Sequence, residues 1–155
     1  MRSGLRMLRI AGYGTGAASL LHIAIIFGGP AWYRFFGAGE RMALLAAHGS
    51  PWPALVTSCI AATLALWSIY AFSGAGMIRR LPMLRLILAL IGAIYLARGL
   101  LGVPVVLLVD DPYLDELKGR MVFMAVSSLV CIALGLCYAA GAAAEPGVAA
   151  DVGQG

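Results

Sequence analysis

Four stretches of the chain stay apolar for about twenty residues or more and hold no carboxylate: 10–29, 53–76, 84–109 and 121–142. A helix of about 20 residues crosses the hydrocarbon core of a bilayer, so each run is long enough to be a span. The pattern predicts an all-α integral membrane protein, a four-helix bundle occupying residues 1–142. The first two runs are joined by a long outer connection, 31–50. Its aromatics Trp32, Tyr33, Phe35 and Phe36 suit the membrane interface, and Glu40–His48 suits a short surface helix. That segment reads either as a lid over the bundle or as an interfacial element without chemistry. Residues 143–155 show no apolar periodicity and read as a disordered tail.

Composition agrees with the pattern. Hydrophobic residues make up 62% of the 155 and charged residues only 12%, where a soluble domain carries about 25% charged. The net charge of +4 does not signal nucleic acid, because the arginines flank apolar runs. Their distribution sets a direction instead. Arg2, Arg6, Arg9, Arg79, Arg80 and Arg85 lie on one side. Arg34, Arg41, Lys118 and Arg120 lie on the other, beside Asp110, Asp111, Asp115 and Glu116. The positive-inside rule then places both termini in the cytoplasm. The first run resembles a signal peptide, but its length and the lack of an A-x-A site favour an uncleaved span. Cys59, Cys131 and Cys137 form no C-x-x-C pair and all lie in apolar runs, so they read as buried small hydrophobes.

The charge that stands out is Arg98, thirteen residues beyond Arg85 inside the third run. A guanidinium at that depth costs roughly 2.5–3.5 kcal/mol on insertion scales unless protein or water solvates it. Arg98 is therefore the centre of the expected site. Its candidate companions are His22 in the first span, Tyr95 one turn before it, Trp67 in the second span and Ser127 in the fourth, with Ser128 beside it. An arginine fork suits a carboxylate, a phosphate or a quinone carbonyl. His22 would be the titratable partner, and an indole face at Trp67 would help solvate the charge. The bland alternatives are that Arg98 snorkels to the surface or bonds backbone carbonyls near Gly102 and Pro104, and that His22 joins two helices.

Small residues recur at four-residue spacing. They fall at Gly12 and Gly16, at Gly92, Gly99 and Gly102 with Tyr95, and at Ser127, Cys131, Gly135 and Ala139. Such stripes let membrane helices approach closely, within the chain or in a dimer. A faint repeat pairs Met7-Leu8-Arg9 with Met83-Leu84-Arg85, and Gly28-Gly29-Pro30 with Gly102-Val103-Pro104, as a parallel duplication would. No span carries a carboxylate, which disfavours a proton- or cation-coupled carrier. No zinc, hydrolase, nucleotide or redox-dithiol motif is present, and His22 with His48 makes no obvious haem pair. No metal, cofactor or catalytic residue is assigned.

The elements Met83-Leu84-Arg85-Leu86 and Tyr95-Leu96-Ala97-Arg98-Gly99-Leu100 resemble those of the small DoxX-like four-helix proteins of bacterial inner membranes. The resemblance covers about one helix and the general layout, and it implies architecture and an inner-membrane location rather than a reaction. The leading expectation is a lipid-embedded binding protein. It would hold a lipid-soluble or anionic small molecule around Arg98, His22, Tyr95, Trp67 and Ser127. The alternatives are a structural or accessory subunit, pairing with itself or a partner membrane protein, and a quinone-linked redox accessory or enzyme.

Overall fold

A computed structural model of the chain describes residues 2–108 and 118–144. The described residues are all-helical: α1 (Arg2–Phe35), α2 (Glu40–Ala47), α3 (Trp52–Gly74), α4 (Leu84–Leu108) and α5 (Met121–Ala144). All but α2 are long and apolar enough to cross a bilayer. The acidic third connection (Asp110, Asp111, Asp115 and Glu116) and residues 145–155 of the expected tail lie outside the described residues.

The helices begin and end where local chemistry dictates. α1 holds a break at Gly29, whose φ of 65° and ψ of −154° suit only glycine, followed at once by Pro30. The chain beyond it turns as a separate helical piece carrying the interfacial aromatics. α3 starts on Pro51 and carries Pro53 in its first turn, where a missing N–H costs nothing. The loop after α3 is stapled by Ser73, which donates to the Arg79 carbonyl at 3.0 Å and accepts from the Leu81 N–H at 2.9 Å. By contrast, Pro104 does not end α4, which continues to Leu108. The two Gly-x-Pro echoes in the sequence therefore take different conformations.

Packing is strongest between α1 and α3 and between α4 and α5. The two pairs join mainly through α1 against α5, while α3 meets α4 only lightly. Glycine decides the α4–α5 contact. A Cβ at Gly99 would lie 2.8 Å from the Ser128 carbonyl oxygen and 2.9 Å from the Ile132 nitrogen. At Gly92 it would lie 3.1 Å from the Ala139 nitrogen, and at Gly135 3.0 Å from the Leu96 nitrogen. Backbone thus rests on backbone, as helix association in lipid favours. Gly12 and Gly16 of α1 instead make room for side chains of α3, the Phe72 ring and the Ser68 hydroxyl. The stripes read from the sequence are taken up inside the chain.

The main core gathers Leu8, Ala71, Leu88, Ile91, Leu134 and Tyr138. A second cluster lies where α2 folds back on α1, with Ile25, Tyr33 and Ala43 buried together and Phe36 against them. Phe36 also meets Phe123 of α5 edge-on, with ring centroids 6.3 Å apart. Two side chains fasten this outer segment. Arg34 forms a two-pronged bond to Glu40, both contacts 2.7 Å, and Arg120 donates to the Phe35 carbonyl at 2.9 Å. Hydrogen bonding from Arg34 holds the Glu40 carboxyl below its ordinary range. Loss of water opposes that shift, and the neighbouring positive charge adds to it.

Candidate functional site

Two polar places stand out among the described residues, one closed and one open. The closed one lies at mid-span, where Thr15 of α1 meets Tyr95 of α4 and Tyr138 of α5. Both phenol oxygens lie 3.2 Å from Thr15 Oγ1, and Tyr138 also donates to the Trp67 carbonyl at 3.0 Å. Each hydroxyl has one proton and a carbonyl only accepts. A chain running Tyr95, Thr15, Tyr138, Trp67 carbonyl uses every proton once. The rings add their own contacts, with Trp67 edge-on to Tyr95 at 5.4 Å and Tyr95 stacked on Tyr138 at 5.8 Å. Thr15 and Tyr138 are fully buried and Tyr95 nearly so, which leaves no room for a small molecule. The knot binds α1, α3, α4 and α5 together.

The open place is Arg98. Its side chain is exposed on α4, not enclosed by the helices. The residue lies fourteen positions past Leu84 and ten before Leu108, hence about 21 Å and 15 Å from the two ends of its helix. Helical side chains ordinarily lean toward the N-terminus. The Arg98 guanidinium instead lies against Gly102, one turn toward the nearer, C-terminal end. That is the snorkelling direction, and the missing side chain at Gly102 supplies the space. Ser128 of α5 abuts the same bare Cα, with its Oγ 3.0 Å from where a Cβ would stand. Ser128 is 5% exposed, and its buried Oγ has no hydrogen-bond partner among the described residues. A polar atom left so costs about 1–3 kcal/mol.

The remaining expected residues fall elsewhere. His22 is half-buried, and its Nδ1 lies 2.8 Å from the Ala18 carbonyl, one turn back on its own helix. Trp67 and Tyr95 come together in the closed knot, and the ring contact of Trp67 is with Tyr95. Ser127 donates to the Met124 carbonyl at 3.0 Å, and it is the neighbouring Ser128 that faces the Gly102 notch. Cys131 is half-buried. Cys59 is exposed, which corrects its reading as a buried hydrophobe. An outward helix face in lipid is apolar as well, so an apolar run does not imply burial. No group of three or more His, Cys, Asp or Glu able to hold a metal occurs among the described residues.

Thr15 as a shared hub, Tyr138, and Gly102 with Ser128 as a notch are what helix-face counting passed over. Tyr138 carried one available signal: a phenol inside an apolar run, three residues past Gly135, needs a partner when buried. Comparisons of the chain with protein-family models, with curated proteins and with solved structures return no match.

Proposed function

We propose that this chain is a multi-pass protein of the bacterial inner membrane, a DoxX-like four-helix bundle with both termini in the cytoplasm. It binds a lipid-soluble or anionic small molecule at Arg98. The observation that carries this reading is the pairing of an exposed guanidinium with the unpartnered Ser128 hydroxyl across Gly102. The two groups lie against the same bare Cα of α4, and the Ser128 hydroxyl has no acceptor among the described residues. An anionic headgroup takes a forked bond from the exposed Arg98, and it reaches the buried Ser128 hydroxyl when the guanidinium lifts off Gly102. Its apolar part lies among Leu101, Val105 and Leu129, all exposed.

The exposure of Arg98 also suits a second reading, in which a carboxylate on a partner membrane protein takes the ligand's place and the chain is an accessory subunit. Thermal unfolding in mild detergent with laurate, kept below its micellar concentration, and with dodecanol tests the first. Laurate raises the Tm of the wild type and not of Arg98→Gln, while dodecanol moves neither. Equal shifts in wild type and variant contradict binding at Arg98. No shift in either, with a stoichiometric partner retained by the wild type and lost from Arg98→Gln, establishes the second reading.

A further inference from the structure

A different flank of α4 carries an independent feature. Ala89, Ala93 and Leu96 of α4 face Ala139, Ala142 and Ala143 of α5 across a shallow trough of about 330 Å³, with Arg85 at one end. The lining is apolar apart from that arginine. From Arg85 to Leu96 is eleven residues, or about 16 Å of helix. The hydrocarbon core is about 30 Å thick, so the trough has the length of one leaflet. It begins at the basic edge, where Arg79 and Arg80 are also exposed, and ends near mid-membrane. Arg85 is exposed and makes no ion pair among the described residues.

We infer that the α4–α5 trough seats one acyl chain of an anionic phospholipid of the bilayer, with its phosphate on Arg85. Three features select this occupant. The trough opens sideways toward lipid, so its occupant arrives within the membrane. Its small side chains leave a furrow where larger ones would fill the seam, and an extended hydrocarbon chain fits a furrow one leaflet long. The single cation at the mouth complements one phosphate, and a basic residue near an anionic surface attracts such headgroups. The alanines alone would accept any acyl chain, so Arg85 supplies the preference for charge. A protein helix is a poorer occupant, because the furrow is narrow and its only polar group is at the end.

Native mass spectrometry with added phosphatidylglycerol, phosphatidylcholine or glycerol phosphate tests the assignment. The wild type retains phosphatidylglycerol over phosphatidylcholine by about fivefold, the factor one basic side chain contributes near an anionic surface. Glycerol phosphate, which has the anion and no tail, gives no adduct. Arg85→Gln abolishes the preference, and Ala93→Trp, which fills the furrow and keeps the charge, lowers occupancy by both lipids. Because Arg98 offers an anionic headgroup a second seat, every comparison is made in the Arg98→Gln background as well, where the preference owed to Arg85 persists. Equal retention of both lipids by the wild type overturns the inference. So does a preference that survives Arg85→Gln, or lipid occupancy untouched by Ala93→Trp. Circular dichroism and an unchanged monodisperse peak establish that each variant is folded.

Discussion

Tyr95 and Tyr138 stack with ring centroids 5.8 Å apart and 18° between their planes, and their hydroxyls converge on Thr15 Oγ1. The pair joins two helices that already touch through glycine, and it brings in α1 through the threonine. In lipid, where apolar faces gain little by meeting one another, such a knot fixes which faces meet.

Thr15→Val removes the shared oxygen and leaves the Tyr95 hydroxyl buried without its partner. Unfolding in mixed micelles is expected to show a loss of about 0.6–1.7 kcal/mol, the range for interhelical hydrogen bonds in membranes. Tyr95→Phe removes donor and need together and costs less. A larger loss in Tyr95→Phe than in Thr15→Val would contradict the hub role of Thr15.

Gly99→Ala and Gly102→Ala separate packing from positioning. At Gly99 the added methyl meets α5 backbone, so the helices must part, at about 1–3 kcal/mol for overpacking. At Gly102 it meets the far end of the flexible Arg98 side chain, with the Ser128 Oγ beside it. The guanidinium moves aside cheaply there. Gly102→Ala should keep the wild-type Tm within a degree or two and lose ligand, while Gly99→Ala unfolds early. Retained ligand in a stable Gly102→Ala protein would refute the notch.

The Arg34–Glu40 bond predicts a pH dependence confined to the outer segment. Glu40 titrates below its ordinary value when folded, so its stabilising contribution is fully present above the unfolded pKa, about 4.3. It is lost as pH falls through the depressed folded value. Hydrogen exchange of α2 amides should therefore quicken as pH falls below about 4.3, relative to α5 amides and after correction for intrinsic rates. Glu40→Gln should abolish that pH step. A step that persists in the variant would show that another group controls the segment.

How far the sequence reached differs from feature to feature. Helix-length apolar runs and the glycines at 92, 99 and 135 were legible because spacing alone puts them on shared faces. The end of the first span at Gly29 was legible, but not that the chain turns helical again beyond it, while the similar Gly102-Val103-Pro104 leaves α4 unbroken. The companions of Arg98 were the least legible part. When every face of a helix is apolar, hydrophobicity does not say which face turns inward. Tyr95 and Trp67 face inward and Arg98 outward, so residues near in depth divide between two environments. His22 was set beside them by depth alone, and its bond to Ala18 satisfies it locally.

The most direct test of an anion site at Arg98 is native mass spectrometry of protein released gently from its own membranes, comparing wild type, Arg85→Gln and Arg98→Gln. Beside any lipid that depends on Arg85, a discrete adduct is expected on the wild type that is kept by Arg85→Gln and lost from folded Arg98→Gln. A wild-type protein without that adduct, or an adduct indifferent to Arg98→Gln, would contradict it.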